Sequence, residues 1–131
     1  MMSNQEQTQS LRQALDGFAA TLNAAKAAEL PGLFTNSGKF MPEGLKTIEA
    51  SRLNSGGKEF LQDNAFHISF KIVDITVDEN FATVIAEAKT SQTRPGTELP
   101  IKKTSRDFFV FKKVGETWKI ERYVFNNVSL N

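Results

Sequence analysis

Near Phe66 the apolar residues of this chain change their spacing from helical to extended. Before that point Leu11, Leu15, Phe18 and Leu22 recur at steps of four, three and four, with Ala14, Ala19 and Ala25 alongside. That spacing lays one apolar stripe along a helix and leaves Arg12, Gln13, Asp16 and Lys26 on its wet side. After it, Phe66, Ile68, Phe70 and Ile72 alternate with His67, Ser69 and Lys71, the period of a half-buried strand. Ala82, Val84, Ala86 and Ala88 alternate in the same way with Thr83, Ile85, Glu87 and Lys89. Helices first and hairpins afterwards predict an α+β fold, with N-terminal helices packed on a strongly curved antiparallel sheet.

Local signals divide the rest. A second short helix is expected over Glu29–Phe34, with Pro31 in its first turn and Asn36-Ser37-Gly38 ending it. A short strand over Lys39–Lys46 follows, with a turn at Pro42-Glu43-Gly44. Gly56-Gly57 confines a third helix to Lys58–Asp63. Turns at Asp78-Glu79-Asn80, Pro95-Gly96 and Val114-Gly115 separate the later strands, the last two being Lys103–Lys113 and Thr117–Val128. Residues 1–9 are polar, expected to be flexible, and carry no secretion signal. No repeat or linker interrupts the 131 residues, so a single domain, 1–131, is expected.

Composition removes several functions. Without cysteine there is no disulfide, thiolate metal site or Cys nucleophile. A net charge of +1 gives no field for nucleic acid or an anionic membrane, and no apolar run spans a bilayer. His67, the one histidine, lies on the polar side of its strand and has no ligand-spaced company, so no metal is expected. Ser55-Gly56-Gly57-Lys58 resembles part of a phosphate loop, but Arg52 and Glu59 stand where Gly and Ser or Thr belong. Lys102-Lys103 and Lys112-Lys113 read as solvated strand ends. A cytoplasmic protein needing no cofactor is the expectation. Eleven phenylalanines against one tyrosine and one tryptophan suit a dry core or an apolar cavity.

The hairpins can be registered. Treating Val114-Gly115 as a two-residue turn pairs Phe111 with Trp118, Phe109 with Ile120 and Asp107 with Arg122. Treating Pro95-Gly96 likewise sets Val84 opposite Asp107 and Ala86 opposite Ser105. Opposite residues share a face, with Cβ atoms about 4.5–5.5 Å apart. Val84, Ala86, Asp107, Phe109, Phe111, Trp118, Ile120, Arg122 and Val124 then lie on one surface, an alignment that a one-residue change of register would break. Asp107 and Arg122 are charges on an otherwise apolar face, either a structural ion pair or the polar end of a pocket. Phe108, Val110, Tyr123 and Phe125 fall on the opposite face. No helix remains to cover them, so a homodimer interface is expected there.

Three stretches together resemble the nuclear-transport-factor-2-like superfamily, near its SnoaL-like polyketide cyclase and ketosteroid isomerase branches. They are Leu22-Asn23-Ala24-Ala25 through Phe40-Met41-Pro42, then Glu79-Asn80-Phe81-Ala82-Thr83-Val84, and the closing hairpin from Phe109 to Ile120. The resemblance implies a cone-shaped roll whose sheet and helices enclose a pocket, with dimers formed through the sheet. Phe18, Leu22, Val84, Phe109, Phe111, Trp118, Ile120 and Val124 would line that pocket. Asp107 matches the family acid that donates a hydrogen bond to the substrate oxygen. Phe18 stands in the position of its tyrosine partner, and the base position falls at Met41 or Pro42, neither of which accepts a proton. Steroid isomerisation is therefore not expected. An Arg122 opposite Asp107 would also keep that acid ionised, whereas ketosteroid isomerase keeps its own protonated in an apolar site.

Two functions follow. In one, the chain binds a small molecule, as a SnoaL-like cyclase, isomerase or lyase acting on a cyclic or aromatic carbonyl or acid compound. Arg122 would hold a carboxylate or polarise a carbonyl, and Asp107 would position it or act as base. In the other, the cone is filled and the chain is a non-catalytic homodimeric association module. An empty cone of roughly a few hundred Å³ is the mark of the first.

Overall fold

The structure, a computed structural model, describes residues 3–55 and 57–131. Helix α1 spans Asn4–Asn23, beginning before its apolar stripe. The Ser3 hydroxyl accepts from the Glu6 backbone N–H at 3.1 Å, and the Glu6 carboxylate accepts from the Ser3 N–H at 3.4 Å. This reciprocal cap satisfies two of the donors that a helix start leaves open. The stretch expected to be flexible is thus helical from Asn4 onward. Its Gln and Glu residues favour helix without making a periodic pattern. Met1, Met2 and Gly56 of the phosphate-loop fragment lie outside the described residues.

The second predicted helix is reduced to two single 3₁₀ turns, Ala27–Glu29 and Pro31–Leu33. Strand β1 (Phe34–Met41) begins at once and runs through the segment the sequence suggested was a break. A two-residue β2 (Ile48–Glu49) and α2 (Gly57–Asp63) follow. The long strands are β3 (His67–Asp78), β4 (Phe81–Gln92), β5 (Ile101–Val114) and β6 (Thr117–Leu130).

They form one open sheet in the order β2-β1-β6-β5-β4-β3. β3 to β6 are an antiparallel meander, but β1 runs parallel to β6. The sheet is therefore mixed, not purely antiparallel. A long connection separates these two strands, so no tight turn dictates their relative direction.

Both predicted hairpin registers are displaced by two residues next to their turns, which preserves the face of each side chain up to Ile120. Ala86 lies opposite Asp107 and Val84 opposite Phe109, because residues 93–100 form a longer loop where a tight Pro95-Gly96 turn was expected. Val114 pairs with Thr117 across Gly115-Glu116, and Gly115 supplies the positive φ of 65° required at the first central position. Phe111 then faces Ile120.

Next comes a bulge. Val110 faces Arg122, so Glu121 is an extra residue in β6 and the side chains from Arg122 to Asn126 change face. Tyr123 and Phe125 turn inward, whereas Arg122 and Val124 turn outward beside Val110 and Phe108. A second bulge in β3, at Val73, keeps Ile72 and Ile75 on the same inner side.

The core lies between α1 and the inner face. Leu11, Leu15 and Phe18 of α1 pack with Val84, Ala86, Phe109, Phe111, Trp118, Ile120 and Tyr123, all under 6% exposed. Small inward residues on β4 (Ala82, Ala86, Ala88) leave room for the phenylalanine rings of β5. At its C-terminal end α1 is tied to the edge strand β3. The Asn23 amide donates to the Ile68 carbonyl at 2.9 Å and accepts its N–H at 2.8 Å, as a neighbouring strand would.

Candidate functional site

On the inner face Asp107 is 1% exposed and sits among aromatic rings. One carboxylate oxygen accepts from the Ser105 hydroxyl at 2.5 Å, the other from the Tyr123 hydroxyl at 2.5 Å. Asp107 and Tyr123 are diagonal neighbours across β5 and β6, since Phe109 faces Tyr123 and Phe125 faces Asp107. The Tyr123 ring is fixed on three sides. It stacks on Phe109 at 4.2 Å and on Phe40 at 5.0 Å, and Phe18 meets it edge-on at 5.6 Å. Phe40, Phe70 and Phe125 around this group are half-buried.

Burial dominates the electrostatics. It pushes the Asp107 carboxyl above its ordinary range, and the hydrogen bonds from Ser105 and Tyr123 offset that only in part. Tyr123 is held well above its ordinary value, first by burial, then by the charge of Asp107 and the hydrogen bond to it. No cation is among the groups acting on Asp107. The site is an apolar enclosure that disfavours negative charge and holds two exchangeable protons close together.

The expected Asp107–Arg122 pair does not form. The Glu121 bulge places the two on opposite faces. The Arg122 guanidinium instead donates to the Ser37 carbonyl at 3.0 Å and meets the Glu121 carboxylate at 3.1 Å, on the outer side of β1 and β6. Of the residues expected to line a pocket, Phe18, Val84, Phe109, Phe111, Trp118 and Ile120 are buried in the core and Leu22 is packed against it, but Val124 faces outward. Of the expected interface residues, Phe108 and Val110 face outward, while Tyr123 and Phe125 belong inside. Tyr123 is thus the partner of Asp107 that the sequence reading misplaced. Its signal was bulk: two aromatics at 123 and 125 fit an aromatic interior better than Arg122 and Val124, provided the strand carries one extra residue.

Two surface hollows stand out among the described residues. One, of about 270 Å³, lies by Ile85, Arg106, Asp107, Phe108, Val124 and Asn126, and the other, of about 480 Å³, lies along the exposed start of α1. Neither is lined by the inward rings. Among the described residues no three His, Asp or Glu side chains gather as metal ligands, and no helix is long and apolar enough to cross a membrane.

No protein-family model matches the sequence, and no curated protein matches it. Solved structures do. A conserved protein from Planctomyces limnophilus superposes with a TM-score of 0.85 at 13% identity, covering 95% of this chain and 98% of that one. An NTF2-like protein with a cystatin-like fold from Novosphingobium aromaticivorans gives 0.75 at 14% identity, over 90% and 79% of the two chains. A ketosteroid isomerase-like protein from Erwinia carotovora atroseptica gives 0.74 at 16%, over 87% and 90%. The chain has the nuclear-transport-factor-2-like, cystatin-like α+β fold.

Proposed function

We propose that this domain binds a small, largely apolar cyclic or aromatic compound through an uncharged oxygen, with Asp107 and Tyr123 as its polar contacts; neither hollow opens on the inner face, so the ligand enters by displacing the half-buried rings of Phe40, Phe70 and Phe125. The observation that carries the reading is Asp107 itself, a carboxyl buried among aromatic rings and hydrogen-bonded only to hydroxyls. Burying such a group costs stability, and acids with a perturbed pKa in an apolar setting concentrate at working sites. With Arg122 outside, a carboxylate ligand has no counter-charge beside Asp107, so a carbonyl or hydroxyl fits and an acid does not. That a ketosteroid isomerase-like protein shares the fold supports a small-molecule ligand.

A cyclase, isomerase or lyase reaction would run on Asp107 as its proton carrier. Among the described residues Asp107 is the one carboxyl in the buried core. Met41, at the expected base position, pairs with Val124 on the outer side.

Calorimetric titration with cyclic ketones, flavonoids, polyketides and steroids tests the reading, with matched carboxylic acids as controls. A neutral carbonyl compound should bind, and Asp107→Asn and Tyr123→Phe should each weaken it about tenfold or more. Equal binding by both variants, or preference for the acids, overturns it.

A second reading concerns assembly and rests on the outer face. Ile85 and Phe108, 36% and 38% exposed, continue into Val110 and Val124 as an apolar strip. Asp74 and Asp78 flank the strip on the β3 side, with Lys119 and Arg122 on the β6 side. A half-turn about an axis along the strands would lay the acidic flank of one copy over the basic flank of another. We propose a homodimer through this face. Sedimentation should show a dimer at about ten micromolar that Phe108→Glu disrupts; a wild-type monomer there rejects it.

A further inference from the structure

The Glu121 bulge decides which side chain meets Asp107. Two irregularities face each other across β1 and β6. β6 carries the extra residue Glu121, and the parallel ladder to β1 is interrupted between Phe34 and Lys39. β1 closes tightly there, since a Cβ on Gly38 would lie 2.9 Å from the Phe34 Cβ and 3.0 Å from the Ile120 carbonyl oxygen. The Glu121 carboxylate bridges the irregularities. It accepts from the Thr35 hydroxyl in a short hydrogen bond and from the Ser37 hydroxyl at 3.0 Å. The Arg122 guanidinium completes the cluster, donating to the Glu121 carboxylate and to the main-chain carbonyls of Glu121 at 2.7 Å and Ser37 at 3.0 Å.

We propose that Glu121, clasped by Thr35 and Ser37, is the positioning residue that presents Tyr123 instead of Arg122 to Asp107. If Glu121 entered the ladder as an ordinary residue, continuing the register of Phe111 with Ile120 would set Arg122 opposite Phe109 and Val124 opposite Asp107. That arrangement puts a guanidinium beside the buried carboxyl and sends Tyr123 out. β6 thus has two alternative endings that differ by a one-residue slip, and such a slip exchanges the two faces. Burial of Tyr123 and Phe125 favours the bulged ending. The clasp adds to it by giving the extra residue a fixed place and by retaining Arg122 on the outside through Glu121. The consequence for ligand choice rests on the binding role proposed for Asp107 and Tyr123: the bulged ending offers an uncharged site, the slipped ending an ion pair.

Tyr123 is the only tyrosine, so its ionisation can be followed by absorbance near 295 nm without labels. In the wild type it should resist ionisation well above the ordinary tyrosine range while circular dichroism reports a folded chain. In Glu121→Ala, and independently in Thr35→Val/Ser37→Ala, a folded fraction should ionise near the ordinary value. Deletion of Glu121 discriminates further. It restores a regular ladder in which Arg122 follows Ile120 outward and Tyr123 stays inward, so the high ionisation should return. Glu121→Gln, which keeps a carbonyl acceptor for the hydroxyls, should rescue it in part. If Tyr123 ionises at the wild-type pH in the folded clasp variants, the clasp has no positioning role. If neither clasp variant folds, a deletion chain that folds with a freely ionising Tyr123 equally overturns the proposal, and one with a protected Tyr123 supports it. The readout needs no ligand. A panel in which nothing binds the wild type would sink the proposed function and leave the clasp standing.

Discussion

Asp107 lies on the inner face among rings, and Glu121 lies on the outer bulge among hydroxyls and a guanidinium. Their carboxyls shift in opposite directions. Burial raises Asp107 above its ordinary range, and its two hydroxyl partners do not cancel that effect. At Glu121 burial works the same way, but the hydrogen bonds from Thr35 and Ser37 and the charges of Arg122 and Lys112 outweigh it, so its carboxyl stays below the ordinary range. The lesson is that the number of hydrogen bonds does not decide a buried acid's state. Both accept from two hydroxyls, and only Glu121 has cations and a shallow setting. The setting of the outer acid favours its charge, while the setting of the inner one disfavours it.

The largest expected effect is inside. Tyr123→Ala removes a ring packed against Phe18, Phe40 and Phe109 and should cost about 3–5 kcal/mol in denaturant unfolding. Tyr123→Phe keeps the ring but leaves Asp107 one donor short, and should cost about 1–3 kcal/mol. A loss as large as that of alanine would mean the hydroxyl matters more than the ring.

Next comes the double change Thr35→Val/Ser37→Ala, which strips Glu121 of its hydroxyl donors and should cost about 1–3 kcal/mol. Its pH signature is specific. A lowered folded pKa gives stability that is present above the ordinary value of 4.5 and is lost as pH falls through the folded pKa. The double variant should lose this acid-side dependence, and unfolding curves between pH 3 and 6 check it.

Asp107→Asn should act with the opposite sign. A raised folded pKa gives stability present below the ordinary value of 3.8 and lost as pH rises through the folded pKa. The amide carries no charge to bury, so the variant should melt at or above the wild-type temperature at neutral pH, with the gain vanishing toward pH 3. A clear destabilisation at neutral pH would show that the ionised pair with Tyr123 is worth more than its burial costs. Smallest of all should be Glu29→Gln, which breaks an exposed pair with Lys26 at 3.9 Å and should change stability by about 0.5 kcal/mol or less.

The same contrast explains what could be read from the residues alone. The interior formed by Val84, Phe109, Phe111, Trp118 and Ile120 was legible because alternation fixes a face even when the register is two residues off. Asp107 was legible as a polar group on that face for the same reason. Its partner was not. The bulge that turns Tyr123 inward is held by Thr35 and Ser37, and Thr35 lies 86 residues from Glu121 in sequence. The parallel pairing of β1 with β6 was invisible because no turn joins them. The start of α1 was missed because Asn4 to Gln9 form helix through a cap and propensity, with no apolar stripe to show it.

The pairing of β1 with β6 also has a kinetic consequence. The β3–β6 meander can form from neighbouring hairpins, but β1 has to wait for the last strand, across a loop whose closure is entropically costly. On a ribosome β1 would leave the tunnel early and have only the two-residue β2 to pair with until β6 followed. Refolding should accordingly show hairpin protection in hydrogen exchange before β1 amides are protected, with Tyr123 the last aromatic to be shielded from solvent.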